Sequence, residues 1–214
     1  MSIFESLLEN KGTVSSALGK KLAEEVLGGD AGILDEAIRL CAFELVDHNM
    51  RRLRAGAAKI VELVAEKEPE LVAPRLGELF PALKAAEPQT RWMIIRTFGY
   101  CARANEAWAK KALPFAQAYV ESKDGLCLRA AADRFLGDYG ALSPKNAAAV
   151  LPILQTSIKS LVMNEEDWIL EAFTQIAALV DSESKAKILL FAKRCERAPK
   201  KNTQARAKKL LKLV

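Results

Sequence analysis

The sequence predicts an all-α solenoid of about eleven or twelve helices, arranged in five or six antiparallel pairs. The first observation is a repeat of 38 residues, in which Thr90–Gly99 is echoed by Leu128–Gly137. The second is a composition rich in Ala, Leu, Lys and Glu, with 50% hydrophobic, 28% charged and 7% aromatic residues. The third is that short loops join helical patterns along the chain, and no segment alternates polar and apolar residues as a strand does.

The first residues predict three helices that stand out of step with the 38-residue register. These helices cover 2–10, 14–27 and 31–46. Thr13 and Asp30 are the expected N-caps of the second and third helices, and Gly28-Gly29 separates the two. Terminal repeats are often atypical because one of their faces meets solvent. We therefore expect residues 1–48 to form an atypical N-terminal region.

Regular repeats of about 38 residues are expected over 49–197. Helical patterns cover 50–66, 69–86, 88–104, 106–121, 126–139, 144–162, 165–180 and 183–197. Four of these helices carry apolar residues at i, i+4, i+7 and i+11, a spacing that forms one apolar stripe on a helix. The stripes are Leu53, Ala57, Ile60 and Val64; Trp108, Ala112, Phe115 and Tyr119; Leu128, Ala132, Phe135 and Tyr139; and Ile169, Phe173, Ile176 and Val180.

Prolines and capping residues mark where several of these helices begin or bend. Pro74 and Pro81 predict that helix 69–86 starts late or bends, because proline lacks the backbone N–H and clashes with the preceding turn. The expected N-caps of the last three regular helices are Ser143, Asn164 and Ser182.

The second helix of each pair resembles the corresponding helix of HEAT repeats. The clearest match comprises Asp124, Arg129, Ala130, Ala131, Ala132 and Gly137. The match is partial at Arg91 and Gly99, and in the fourth unit Asp167 and Glu171 lie near the place of the expected arginine. The resemblance covers about residues 49–197 and implies a right-handed α-α superhelix.

The stretch Leu128-Arg129-Ala130-Ala131 also resembles a stretch of the HEAT-like alkylpurine DNA glycosylases of bacteria, which are similar in size, helix number and basic character. This resemblance implies that Arg129 contacts DNA, beside a catalytic aspartate and tryptophans that hold the damaged nucleotide. The position of that aspartate falls within Trp92–Ile95, which contains no carboxylate. The resemblance therefore favours a DNA-binding relative over an active glycosylase.

Four arginines recur at the repeat spacing and are candidates for nucleic-acid binding. They are Arg91, Arg96, Arg129 and Arg134. Arginine forks can hold phosphates at a spacing that stacked helices set. The alternative is that they pair with neighbouring carboxylates, such as Asp133 or Glu121, and join one repeat to the next.

Tryptophans supply the second set of candidates. Trp92 and Trp168 lie early in their helices and can anchor a partner or stack on bases. Trp108 begins a core stripe, and we expect it to be buried.

The net charge of +5 is concentrated near the C-terminal end, where 185–214 contains eleven Lys or Arg residues and one acid, Glu196. A basic capping helix is expected over 198–214, with an apolar side formed by Ala205, Leu210, Leu211 and Leu213. Its candidate nucleic-acid contacts are Lys200, Lys201, Arg206, Lys208 and Lys209. Three interpretations remain open for this helix: phosphate binding, membrane-surface binding and simple solubility.

The sequence predicts no catalytic residues, no cofactor and no metal. Its four cysteines, Cys41, Cys101, Cys127 and Cys195, form no CxxC pair, and the single histidine His48 cannot complete a zinc site with them. We expect all four to be buried free thiols, which fits a reducing compartment such as the cytoplasm. No glycine-rich phosphate loop is present, and no apolar run approaches the ~18 residues that span a bilayer.

The leading hypothesis is a non-enzymatic scaffold, a single HEAT-like repeat domain over 1–214 that binds a protein or peptide on its concave face. The alternative is nucleic-acid binding by a diverged relative of the DNA alkylation repair proteins, since 185–214 is strongly basic and the arginines recur.

Overall fold

A computed structural model describes residues 2–10, 17–159 and 166–213, and within these ranges all regular secondary structure is helical. The prediction of an all-α fold is confirmed. The α-helices are α1 (Ile3–Glu9), α2 (Ala17–Leu27), α3 (Ala31–Cys41), α4 (Arg51–Lys67), α5 (Pro69–Val72), α6 (Leu76–Leu79), α7 (Pro88–Tyr100), α8 (Glu106–Val120), α9 (Leu126–Gly140), α10 (Pro144–Lys159), α11 (Glu166–Ile176), α12 (Ser182–Cys195) and α13 (Lys201–Leu213).

The chain divides into two compact units, the N-terminal unit Met1–Ala112 and the C-terminal unit Leu113–Val214. In the N-terminal unit α4 is the central helix, and α1, α2, α3, α5 and α7 pack against it. The stripe predicted for α4 is fully buried, as are Ala58 and Val61 beside it. A helix surrounded by neighbours buries most of its circumference, which explains why α4 is apolar beyond one stripe.

The segment predicted as helix 69–86 is broken twice. Between the short helices α5 and α6 lies the 3-10 turn Ala73–Arg75, and after α6 comes a second 3-10 segment, Phe80–Lys84. Pro74 and Pro81 stand at the second residue of these two segments. Each proline removes a backbone hydrogen-bond donor and crowds the preceding turn, which disfavours a continuous α-helix here.

Trp108 is half-buried, so the prediction of a buried tryptophan is wrong. Its ring lies 5.4 Å from that of Phe80, and a Cβ added at Gly77 would approach the indole to 2.8 Å. The indole therefore packs flat on a glycine at the edge of the N-terminal unit. The predicted stripe of α8 is buried at Ala112 and Tyr119 but only half-buried at Trp108 and Phe115, and the buried face also includes Ala109, Ala116 and Val120.

A buried arginine holds the loop that follows α3. Arg54 is fully buried and pairs with Glu87, with Nη2 2.8 Å from Oε2. Its Nη1 also donates to the backbone carbonyls of Phe43, Glu44 and Asp47, at 3.1, 2.7 and 3.0 Å. Burial alone would raise the pKa of Glu87, but Arg54 and the Thr90 hydroxyl outweigh it and lower that pKa.

In the C-terminal unit, α9 packs against α10 and α11, while α13 packs against both α11 and α12. The stripe predicted for α9 is buried at all four positions. Gly137 allows α9 and α11 to approach closely, because a Cβ there would lie 2.7 Å from Ala172 Cα. The recurring glycine of the 38-residue repeat thus has a packing role here.

Several helix ends differ from the predictions. Helix α3 ends at Cys41, five residues early, and Val46 is 92% exposed. Helix α11 ends at Ile176, so Val180 lies beyond its stripe and is half-buried. Asp181 caps α12 in place of Ser182, whereas the predicted caps Asp30 and Ser143 are confirmed by hydrogen bonds to the first turns of α3 and α10. The predicted caps Thr13 and Asn164 lie outside the described residues.

Candidate binding surfaces

Three of the predicted site residues meet around one carboxylate in the C-terminal unit. Arg134 on α9 donates from Nε to Glu171 Oε2 at 3.0 Å, and its guanidinium carbon lies 4.2 Å from the centroid of the Trp168 ring. Arg206 on α13 forms a second ion pair with Glu171, and its guanidinium carbon lies 5.6 Å from the same ring. We call Arg134, Trp168, Glu171 and Arg206 the Trp168 cluster.

The Trp168 cluster is a partly exposed arrangement in which one carboxylate serves two guanidinium groups. The side chains of Arg134, Glu171 and Arg206 are 38%, 31% and 31% exposed, and Trp168 is half-buried. Stacking on an indole face stabilises a guanidinium while leaving its edges available for hydrogen bonds. The cluster holds one net positive charge, and the carboxylate occupies the edges that a phosphate would need.

Asp167 attaches the last helix to α11. Its side chain accepts hydrogen bonds from Lys200 Nζ at 2.8 Å and Thr203 Oγ1 at 2.6 Å, and its backbone carbonyl accepts one from Arg206 at 3.1 Å. Burial alone would raise the pKa of Asp167, but Lys200 and Thr203 outweigh it and lower that pKa. Lys200 and Arg206, two predicted phosphate contacts, therefore hold α13 in place.

Nine cations between 185 and 213, Lys200 among them, are exposed and form a basic surface. It comprises Lys187, Lys193, Arg194, Arg197, Lys200, Lys201, Lys208, Lys209 and Lys212. The face of α13 that is buried carries Thr203, Ala207 and Leu210. The apolar side predicted for this helix is wrong at Ala205 and Leu213, which are exposed, because the helix docks through a face turned partly away from them.

The other predicted site residues of the N-terminal unit lie on α7. Arg91 is half-buried, and its Nη2 lies 3.5 Å from the carbonyl oxygen of Ala86. Trp92 is half-buried, with the Lys59 ammonium 5.7 Å from its ring centroid. Arg96 is only 7% exposed, and its guanidinium carbon lies 4.3 Å from the Tyr100 ring.

A buried charge network surrounds Arg96. Lys59 donates to Glu62 at 2.8 Å, and Glu62 is 7% exposed. Burial raises the pKa of Glu62, while the positive charges of Lys59 and Arg96 act in the opposite direction. Because little of Arg96 reaches solvent, this arginine suits a contact between α4 and α7 better than a contact with a phosphate.

Arg129 lies half-buried in the first turn of α9, near the exposed Cys127. The prediction that all four cysteines are buried is therefore wrong for Cys127, which precedes the buried stripe of α9. The other three thiols are buried, and burial raises the pKa of each, to about 12 for Cys101 and about 11 for Cys195. A raised pKa keeps a thiol protonated and unreactive at neutral pH.

Metal binding finds no support in the part of the chain that the structure describes, where no three His, Cys, Asp or Glu side chains are placed to hold an ion. Likewise, none of the described helices is long and apolar enough to cross a membrane.

An open groove of about 890 Å³ lies along α12. Ile158, Leu190 and Phe191 contribute its apolar surface, and Leu190 is 71% exposed. Its charged lining residues are Lys187, Lys193, Arg194, Glu196 and Arg197. The groove was not among the predicted sites, because one exposed leucine within a helix does not disturb the helical pattern.

The roles of Asp167 and Glu171 were only partly predicted. Glu171 forms two ion pairs, and its two partners lie 37 and 35 residues away and are not apparent from neighbouring sequence. The signal was that both acids lie near the place of the arginine expected in that unit of the repeat. A carboxylate at that place is positioned to meet the arginines of adjacent helices.

The chain matches no family model and no curated protein. Among solved structures it is similar to the crystal structure of an engineered protein from the Northeast Structural Genomics Consortium, with a TM-score of 0.63 and 13% sequence identity. The alignment covers 100% of this chain and 96% of that one. At this level of identity the likeness concerns the fold alone, and it agrees with the all-helical architecture.

Proposed function

We propose that the chain is a non-enzymatic helical-repeat scaffold that binds an acidic protein partner in a reducing compartment such as the cytoplasm. A right-handed superhelix with a concave binding face belongs to the same proposal. Support comes from the helix pairs that stack within each unit and from the free cysteines.

The observation that carries the proposal is the basic surface of α12 and α13. Nine of the eleven cations between 185 and 213 are exposed, and the only acid in that segment is Glu196. The C-terminal unit contains sixteen basic and eleven acidic residues, whereas the N-terminal unit contains sixteen of each. A surface on which the exposed charges are nearly all positive attracts a negatively charged partner and accelerates its association.

An acidic protein is favoured because two of the arginines predicted to bind phosphate are already engaged by a carboxylate. Arg134 and Arg206 share Glu171, whose negative charge would repel a nearby phosphate. The exposed lysines are strongly hydrated point charges, which suit the dispersed carboxylates of an acidic protein surface.

The test is capture of partners from a nuclease-treated lysate by the full chain and by a variant with Lys201, Lys208 and Lys209 replaced by Gln. The matched control replaces Lys20, Lys21 and Lys67, three exposed lysines of the N-terminal unit, by Gln. We expect the control to retain partners that the first variant loses, and the loss to be reproduced by raising the salt concentration. Equal capture by both variants would contradict the proposal.

The second candidate function is nucleic-acid binding, and the half-exposed Trp168 favours it. An indole next to guanidinium groups and exposed lysines is a combination that single strands use for base stacking and backbone neutralisation. In this version a bound phosphate replaces the Glu171 carboxylate as the partner of Arg134.

Fluorescence anisotropy of a labelled DNA duplex and a labelled single strand, at low and physiological salt, tests this candidate. Binding should weaken steeply with salt, and each lysine removed from the basic surface should reduce the salt slope by about one. Binding that is unaffected by salt rules this candidate out, and binding unaffected by Arg91→Ala and Arg129→Ala together rules out the version in which those recurring arginines contact phosphate. Base release from alkylated DNA is the corresponding test of glycosylase activity, which the absence of a carboxylate at Trp92–Ile95 argues against.

A further inference from the structure

The groove along α12 combines an apolar floor with a cationic rim. Leu190 is 71% exposed and lies beside Phe191, which is 5% exposed, and the half-buried Ile158. Large apolar side chains exposed inside a concavity are typical of binding sites, whereas isolated exposed leucines on convex surfaces are ordinary.

The charges of the lining are strongly unbalanced. Among the described lining residues, four are cations and one, Glu196, carries a carboxylate. Lys187 already pairs with Glu183 at 2.7 Å, so Lys193, Arg194 and Arg197 supply most of the available positive charge. The Arg194 guanidinium carbon lies 5.1 Å from the Phe191 ring centroid, which places a bidentate carboxylate receptor directly beside the apolar floor.

We propose that this groove docks a short acidic peptide segment of a partner protein, in which a leucine or aromatic side chain is flanked by Asp or Glu. The apolar side chain covers Leu190 and Ile158, and the flanking carboxylates pair with Arg194 and the neighbouring cations. The inference rests on the proposed function, since it specifies the chemistry of the acidic partner.

Size and chemistry favour a peptide over the alternatives. A volume of about 890 Å³ exceeds that of one side chain and falls in the range of sites that hold drug-sized or short peptide ligands. A phosphate backbone carries no apolar group to cover Leu190, and the Phe191 ring is too buried to stack with a base. A bilayer would require several exposed apolar side chains on α12, whereas Leu190 is the only large one on the described part of that helix.

The experiment uses the full chain and two fluorescein-labelled peptides. One peptide alternates glutamates with phenylalanine and leucine, and the other has serine in place of both apolar residues. Leu190→Ala removes a side chain that is mostly exposed in the free protein, so the variant should fold normally. The matched control is Leu213→Ala, since Leu213 is 57% exposed on α13 and lies outside the groove.

We expect the apolar peptide to bind the unmodified chain, and Leu190→Ala to weaken it by about tenfold while Leu213→Ala leaves it unchanged. Arg194→Gln should weaken both peptides. If both peptides bind equally well and Leu190→Ala has no effect, the groove assignment is wrong, although the basic surface still binds acidic partners.

Failure of both peptides to bind also overturns the groove assignment, and the lysate capture then decides separately on the proposed function. Duplex DNA and phosphatidylserine vesicles serve as competing ligands. Should Leu190→Ala weaken either of these instead of the peptide, the occupant is not a peptide and the inference fails.

Discussion

Replacing Arg54 by methionine should destabilise the N-terminal unit severely. The substitution keeps much of the apolar length of the side chain but removes the guanidinium. It leaves Glu87 as an uncompensated buried charge, since that side chain is only 8% exposed. It also removes the donor to the carbonyls of Phe43, Glu44 and Asp47, which the guanidinium holds at 2.7–3.1 Å.

The expected magnitude follows from the burial of the pair. Removing one partner of a buried ion pair destabilises a protein by about 3–5 kcal/mol. The control is Arg75→Met, because Arg75 pairs with Asp35 and Glu78 at sites that are 60% and 49% exposed. Exposed ion pairs contribute about 0.2–1 kcal/mol. The two arginine substitutions should therefore differ several-fold in their effect.

Urea unfolding in a Trp168→Phe background provides the assay, since the remaining indoles, Trp92 and Trp108, both belong to the N-terminal unit. With an m-value of about 2 kcal/mol/M, the midpoint for Arg54→Met should fall by about 2 M, and that for Arg75→Met by less than about 0.5 M. Equal shifts for the two variants would refute the buried-pair argument.

The pH dependence of the same pair has a defined sign. The folded state lowers the pKa of Glu87, so its stabilising contribution is complete above the ordinary carboxyl pKa and is lost as the pH falls through the lowered value. The combined variant Arg54→Met with Glu87→Leu lacks this group. Its stability should therefore decline less between pH 6 and 3 than that of the unmodified chain, when both are followed by urea midpoints.

Three further outcomes are expected. Gly137→Ala should lower stability by about 1–3 kcal/mol in urea unfolding, because its Cβ would lie 2.7 Å from Ala172 Cα; a neutral effect would mean that α9 and α11 separate freely. Asp167→Asn should speed amide hydrogen exchange in α13 while leaving α9 protected, since it weakens the attachment by Lys200 and Thr203; uniform exchange rates would contradict this. A thiol reagent should label the exposed Cys127 rapidly. It should label the fully buried Cys41 only after unfolding, because burial shields this thiol and raises its pKa. Equal labelling rates would refute the assigned burial.

The sequence predicted the helices and most of their buried stripes because both follow from local periodicity. On α4 and α9 every predicted stripe residue is buried, since a spacing of i, i+4, i+7 and i+11 fixes one face of any α-helix. Proline positions likewise marked where segment 69–86 breaks. These features need no knowledge of which helices are neighbours. The stripe of α8 was wrong at Trp108 and Phe115, which are only half-buried, because the buried face turns toward Ala109 and Ala116.

The end of α3 could not be predicted because a distant side chain determines it. Apolar residues continue the helical pattern past Cys41 to Val46, yet the chain turns and Glu44 adopts a positive φ of 40°. Arg54 supplies hydrogen bonds to three carbonyls of this loop and thereby stabilises its non-helical path. Tertiary contacts of this kind override local helix propensity.

One physical reason explains why some cations stabilise the fold while others can contact a ligand. Several ion pairs among the described residues join side chains about one repeat apart: Arg54 with Glu87 across 33 residues, Arg134 with Glu171 across 37, and Lys200 with Asp167 across 33. A cation that faces the adjacent packed helix therefore meets that helix's carboxylate, and its contribution is to packing. The 38-residue repeat alone could not distinguish cations that pair with a neighbouring helix from cations that contact a ligand, because both kinds recur at the same spacing.

The basic surface differs because its lysines lie on the opposite side of α13 from the helices that hold it. Thr203, Ala207 and Leu210 are buried against α11 and α12, which leaves Lys201, Lys208 and Lys209 exposed. Holding these like charges together in one helix is unfavourable, and an anionic partner relieves that repulsion on binding. A ligand that binds along α13 should therefore depend more on these three lysines than on the recurring arginines.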